Sequence, residues 1–305
     1  VNLAVDISRK NKKLSQWENL QENAENYELQ TQSPKMQQAI NTIKKVAATD
    51  ANLLLLGENG TGKYVMAEYI HQNSKRKNEP FVHIDLGSIS ENLFEAELFG
   101  YAKGAFTDAK TDKAGKIENA DGGTVFLDEI GNLTPQLQQK LLTLIQTKKL
   151  SRIGETKERF PDVRFIFATN ADLKKMISEN TFREDLYFRI NTVEVELPPL
   201  RERKEDIASL VEFFIKKYEK KYGKNNLKIT NLEEVQNYHF PGNIRELEHS
   251  VEREIILSEN ENIKLSLSHT ASEEQITSLN LEEMEEKMIK NALKKHKGNI
   301  TLAAE

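Results

Sequence analysis

Short apolar runs alternating with stretches of helical spacing fill the middle of the chain, from Asn52 to about Leu197. Four runs carry the strand signal: Leu53–Leu56, Phe81–Asp85, Thr124–Leu127 and Val163–Ala168. Apolar runs this short, interleaved with amphipathic helices, predict an α/β fold with a parallel sheet covered by helices on both faces. Just ahead of them, Ser33 and Pro34 read as a helix start, serine as cap and proline in the first turn, before Met36, Ile40, Ile43 and Val46 at helical spacing. Beyond Pro198 and Pro199 the spacing becomes helical, with Ile207, Leu210, Val211 and Phe214, then a second amphipathic stretch from Ile244 to Leu257. A small all-helical subdomain is therefore expected after the sheet. The predicted division is an α/β part over 33–200 and a helical part over 201–258.

The flanks read differently. Residues 1–32 are polar and glycine-free, with isolated apolar positions at Leu14, Trp17 and Leu20. They predict a helical linker, either a surface helix or a dimerising coiled coil, since too few heptads are present to separate the two. Residues 259–280 are rich in Ser, Asn and Glu and predict a second linker. A last helix is expected from near Leu281. Its acidic beginning (Glu282, Glu283, Glu285, Glu286) and basic continuation (Lys287, Lys290, Lys294, Lys295) suit the helix dipole.

Composition narrows the function classes. The 305 residues contain no cysteine, which excludes disulfides and thiolate metal sites and fits a reducing cytoplasm. Neither an apolar run of about 18 residues nor a signal-peptide pattern is present, so a cytoplasmic protein with no membrane contact is expected. The net charge of -5 argues against general affinity for nucleic acid, so any DNA contact must come from a local element.

Chemistry concentrates at the predicted strand ends. Gly57, Glu58, Asn59, Gly60, Thr61, Gly62 and Lys63 follow the first strand and open a helix, the context of a phosphate-binding loop. Glycines let backbone N–H groups turn toward phosphate oxygens, and Lys63 can reach the terminal phosphates. Tyr64 stands where a Ser or Thr hydroxyl usually helps to hold magnesium, so Mg2+ must be held by phosphates, water and an acid elsewhere. Asp128 and Glu129, at the end of Gly122–Glu129, supply that acid and a partner. Asp128 is assigned to the metal and Glu129 to activation of the attacking water. Thr169 and Asn170 end the fourth strand with uncharged groups suited to sensing a terminal phosphate. Arg183 and Arg189 lie near the end of the α/β part, where guanidinium groups either form surface ion pairs or stabilise a transferring phosphoryl group.

The order of these motifs resembles the AAA+ domain of sigma-54-dependent transcription activators, the NtrC-like family, from about Ser33 to Leu257. The resemblance rests on Gly57–Lys63, Glu97–Gly100, Gly104–Ala109, Gly122–Glu129, Phe182–Arg189, Leu197–Arg203 and Pro241–Leu247. It implies ATP and Mg2+ as cofactors, a hexameric or heptameric ring, and hydrolysis that opens the promoter complex of RNA polymerase with sigma-54. It further implies Arg183 and Arg189 as fingers acting on a neighbouring subunit and Arg245 as a nucleotide sensor in the lid. The loop Gly104, Ala105, Phe106, Thr107, Asp108, Ala109 is implied as the contact to sigma-54. The family's usual glycine at its fifth position is Asp108 here, which adds a charge and restricts the backbone. Phe106 can be read as an exposed loop tip or as a core side chain. Asp85 replaces an Asn frequent near the catalytic glutamate; it either approaches Glu129, with mutual repulsion, or simply ends its strand. Residues 281–305, with Ala292 to Ala304, resemble the start of a Fis-like helix-turn-helix for enhancer DNA, cut before its second helix. The first linker resembles the segment after a receiver domain, implying a response regulator with a sensor kinase as partner. The alternative expectation is a ring-forming, DNA-binding AAA+ regulator that does not engage sigma-54.

Overall fold

The computed structural model describes residues 31–87, 91–107, 109–258 and 260–267, with the backbone alone at 91 and 92. The readings of residues 1–30, of Asp108 and of 268–305 lie outside the described residues. The chain opens with α1 (Pro34–Ala47), β1 (Leu53–Leu56), α2 (Lys63–Gln72), β2 (Phe81–Asp85) and α3 (Glu91–Phe99). A two-residue ribbon follows, β3 (Gly100–Tyr101) with β4 (Lys113–Ala114), then β5 (Thr124–Asp128), α4 (Pro135–Thr147) and β6 (Arg164–Thr169). The short α5 (Leu173–Ser178) and α6 (Glu184–Ile190) lead to β7 (Val193–Glu196). The sheet runs β2-β5-β6-β1-β7, and every pairing in it is parallel.

Alternate side chains on the central strands feed two cores. Leu54, Val125, Leu127, Phe165 and Phe167 point to one face and pack with α4 and α6 through Leu141, Leu142, Leu186 and Ile190. Leu53, Leu55, Phe126, Ile166 and Ala168 point to the other and pack with α1 and α2 through Ile40, Ile43, Met66 and Ile70. Burial on both faces is why these strands read as unbroken apolar runs.

Three local readings differ from the structure. Ser33 does occupy the cap position of α1 with Pro34 in the first turn, but its hydroxyl makes no cap hydrogen bond and is buried without a partner among the described residues. Asp206 ties down this entry instead: its carboxylate accepts from the Thr31 hydroxyl at 2.6 Å and from the backbone N–H groups of Gln32 and Ser33 at 2.7 and 3.3 Å. Second, the helical part, α7 (Ile207–Tyr222), α8 (Leu232–Asn237) and α9 (Asn243–Leu257), also contains a two-stranded parallel ribbon, β8 (Lys228–Ile229) with β9 (Asn262–Ile263). Third, the stretch expected to be linker from 259 is packed as far as Leu265. Ile263 and Leu265 are buried, and Asn231 holds Leu265 by both its N–H and its carbonyl. The polar composition concealed two apolar anchors.

His71 is buried on α2, with Nδ1 at 3.0 Å from the Thr124 hydroxyl. Burial lowers its pKa below the usual histidine value. The unfolded chain therefore binds a proton near pH 6.5 that the folded chain refuses. Stability is unaffected by this group above pH 6.5 and falls as pH drops below it, by up to about 1.4 kcal/mol per pH unit until the folded pKa is passed. Urea unfolding at pH 7.5 and 5.5 should show this decline, and His71→Gln should make it shallower; an unchanged slope in the variant would assign the decline to other groups.

Candidate active site

The carboxyl ends of β1, β5 and β6 lie side by side, and the chemistry predicted from sequence gathers there, where open parallel sheets place their ligands. Gly57–Gly62 leaves β1 and turns into α2. Gly60 and Gly62 take positive φ of 78° and 104°, which a side chain would oppose. Gly62 caps α2 and offers no side chain, so the first-turn N–H groups stay open to an anion. Lys63 is nearly enclosed, and its ammonium donates to the carbonyls of Gly57 at 2.9 Å and Glu58 at 3.4 Å. The Thr61 hydroxyl donates to the Glu58 carbonyl at 2.8 Å, closing the loop on itself.

Lys63 also lies 3.5 Å from Glu129 Oε1, while Glu129 Oε2 accepts from the backbone N–H of Asn170 at 3.2 Å. Glu129 follows β5 in the left-handed region, φ 58° and ψ 49°. Such a conformation costs a non-glycine residue about 1–3 kcal/mol, and it aims the carboxylate across the strand ends. Asp128 is half-buried, and desolvation raises its pKa, Lys63 opposing and Glu129 reinforcing the shift. Thr169 is buried; its hydroxyl accepts from the Ala171 N–H at 3.0 Å, and its carbonyl accepts from the Gly57 N–H at 3.3 Å. The phosphate loop, the acid pair and the Thr169–Asn170 pair are thus one hydrogen-bonded unit.

Other expected residues take different surroundings. Tyr64 turns its ring toward His83, centroids 5.0 Å apart, and its hydroxyl to Glu68 at 3.3 Å; burial pushes its pKa up to about 12. Asp85 is the register partner of Asp128, and its carboxylate accepts from the Gly87 N–H at 2.9 Å. Arg183, at the cap position of α6, is exposed and forms a two-pronged pair with Asp185 at 3.0 and 2.7 Å; Arg189 is exposed in the last turn of that helix. Arg245, in the first turn of α9, has its Cβ 3.1 Å from where a Cβ on Gly60 would stand.

The loop at 104–109 is pinned at its base. Gly104 donates to the Ala109 carbonyl at 2.8 Å, Ala109 to that of Phe106 at 2.9 Å, and Ala109 is buried. Phe106 is 43% exposed, and Tyr101 packs edge-on against it at 4.8 Å. Of the two readings of Phe106, the exposed one holds. Sequence reasoning gave no role to Tyr101, nor to Arg201, Arg203 and Asn243, which bind the phosphate loop; the last three sit inside motifs quoted above, and that was the available signal.

Comparison with known proteins agrees with this geometry. A family profile described as Sigma-54 interaction domain matches residues 29–196, and one described as AAA+ ATPase lid domain matches 201–294. The nitrogen fixation protein AnfA of Azotobacter vinelandii is 42% identical over 283 residues, 89% of this chain and 53% of its own length. The sigma54-dependent transcriptional regulator SfnR of Pseudomonas fluorescens (strain Pf0-1) is 45% identical over 231 residues, 75% of this chain and 63% of its own. The chain thus spans roughly half to two thirds of these relatives. NtrX from Brucella abortus, solved in complex with ATP, superposes with a TM-score of 0.77 at 34% identity, over 99% of this chain and 71% of that one. Among the described residues no helix is long and apolar enough to cross a membrane. With its parallel sheet, phosphate loop and helical lid, the chain belongs to the AAA+ domain family of sigma-54-dependent transcriptional regulators.

Proposed function

We propose that the chain is the ATP-hydrolysing motor of a transcription activator, assembling into a ring and using each turnover to remodel the promoter complex of RNA polymerase with sigma-54. The observation that carries this reading is Glu129, fixed by Asn170 and Lys63 at the mouth of the phosphate loop. A carboxylate so placed can orient water toward a terminal phosphate, while Lys63 and the loop N–H groups take its charge. Magnesium fits if phosphates and water supply most of its ligands, because no group of three or more acids and histidines is gathered among the described residues, and Asp128 is the acid at hand. When bound, the ion neutralises charge on the transferring phosphoryl group. Enhancer DNA, through a domain beginning near residue 281, and a sensor kinase acting on an upstream receiver belong to the same proposal. The deciding experiment is ATP-dependent open-complex formation by sigma-54 polymerase on a supercoiled promoter.

Phe106 supplies the partner-side test. Its exposed ring, propped by Tyr101 on a pinned loop, suits an apolar contact. Phe106→Ala should cost only about 1 kcal/mol of stability, well short of the ~3–5 kcal/mol of a core phenylalanine, and leave ATP turnover near the wild-type rate. Capture of sigma-54 in the presence of an ATP transition-state analogue should fall by more than about tenfold. Undiminished capture would remove the loop from the interface.

A further inference from the structure

The contacts that join the phosphate loop to the lid involve a residue whose charge is out of place in an anion site. Glu58 is the second residue of the loop, yet its carboxylate faces the lid. Its two oxygens accept from Arg201 Nη2 at 2.6 Å and Nη1 at 2.8 Å, and Oε2 also accepts from Asn243 Nδ2 at 3.1 Å. The guanidinium, with help from the Asn243 amide, holds this carboxyl down at about 2. Asn243 is fully buried at the start of α9 with φ 53°. Its amide is used on both sides: Nδ2 also donates to the Asn59 carbonyl at 3.0 Å, and Oδ1 accepts from the Leu200 N–H at 2.8 Å. The backbone closes equally tightly. Ile244 N–H donates to the Gly60 carbonyl at 2.9 Å, Arg203 Nη2 donates to the Thr61 carbonyl at 2.7 Å, and a Cβ on Gly60 would come within 2.3 Å of the Gly242 carbonyl.

We infer that Glu58 is a positioning residue for phosphoryl transfer: with Arg201 and Asn243 it clasps the phosphate loop to the first turn of α9 and so fixes Arg245 relative to Lys63. This rests on reading the site as an ATPase. The Glu58–Arg201 pair is substantially exposed and therefore contributes little to stability. Its two-pronged geometry instead sets orientation, which a lysine's single point charge would not do. Arg201 also cancels a negative charge that would otherwise oppose a triphosphate. Removing Arg201 alone leaves that carboxylate uncompensated beside the loop, whereas neutralising both members does not.

The test compares Glu58→Gln, Arg201→Ala, Arg201→Lys and the double variant Glu58→Gln/Arg201→Ala, reading Mg2+-dependent binding of fluorescent mant-ATP, kcat and thermal midpoint. Arg201→Ala should weaken mant-ATP binding about tenfold, and the double variant should regain most of that loss. All four should lower kcat, by on the order of 10- to 100-fold where the clasp is fully broken, because a misplaced Arg245 costs rate more than affinity. Thermal midpoints should stay close to wild type. A double variant that binds no better than Arg201→Ala, a wild-type kcat in Arg201→Ala, or losses that follow the thermal midpoint alone would each overturn the clasp. A wild-type chain that binds mant-ATP without hydrolysing ATP would overturn the ATPase reading instead, and the binding comparison would still decide the clasp's charge balance.

Discussion

Glu129→Gln is expected to keep ATP bound and to slow its hydrolysis by on the order of 10²–10⁴-fold. The amide preserves the shape of the side chain and can still accept from the Asn170 N–H, which holds the carboxylate at 3.2 Å. What it loses is the negative charge 3.5 Å from Lys63 and the basic oxygen that would draw a proton from water. The left-handed backbone at Glu129 is expected to persist in the variant, since glutamine and glutamate are identical through Cγ and meet the same backbone sterics. Lys63→Ala should act on the opposite quantity. Its ammonium is enclosed by the loop carbonyls, so its removal takes away the group that meets the phosphates and weakens nucleotide binding itself. Mant-ATP titration beside phosphate release under single-turnover conditions separates the two. Equal loss of nucleotide by both variants would show that acid and lysine serve binding alone.

The central strands β1, β5 and β6 were legible because burial on both faces leaves no room for polar alternation, and the edge strand β2 because its run Phe81–Ile84 is mostly apolar. Leu53–Leu56 and Phe81–Asp85 coincide with their strands, and Thr124 and Val163 predicted the starts of the other two to within a residue. The other edge strand, β7, carried no such signal. Val193–Glu196 alternates valine, packed on the core, with exposed glutamate, because only one of its faces is covered, and a four-residue alternation does not stand out from a loop. Arg164 shows the limit from the other side. It begins β6 fully buried, and its guanidinium donates to the carbonyls of Ala47 and Val46, both at 2.9 Å, at the C-terminal end of α1. A charged residue there makes sense only once α1 is folded over the strand.

At the site, legibility followed the distance along the chain over which each role is set. The phosphate loop and the acid pair are local: a strand end, a turn and a helix start place them, and all three can be read within ten residues. Glu58 is local by position and nonlocal by role. Its partners lie 143 and 185 residues away, in a short 3-10 turn and a helix start that return to it only when the lid folds back. Asp206 and the entry to α1 make the same point across 173 to 175 residues. Tyr64 follows Lys63 directly, and the first turn of α2 carries its ring to His83 and its hydroxyl to Glu68, about 100° per residue being enough to give neighbours on a helix different surroundings.

Arg183→Ala and Arg189→Ala are each expected to lower ATP hydrolysis by on the order of 10³-fold while mant-ATP binding survives, as for arginines that act across a subunit boundary. Arg183 stands at the cap position of α6 and Arg189 in its last turn; Leu186, Tyr187 and Ile190 are buried, so the helix is anchored and the two guanidinium groups are presented outward. Asp185 holds Arg183 in a two-pronged pair on the exposed surface, where such a pair contributes little to stability and can be exchanged for a phosphate. Two measurements distinguish action on a neighbour from action within the chain. Turnover by the wild-type protein should rise more steeply than linearly with protein concentration, because the site is completed only on assembly. Mixing Glu129→Gln chains with Arg183→Ala chains should then restore activity that neither has alone. In a random 1:1 ring about one interface in four joins an intact Glu129 to an intact Arg183. If the arginines act within their own chain, every site in the mixture lacks one group, and the mixture stays as inactive as its parts.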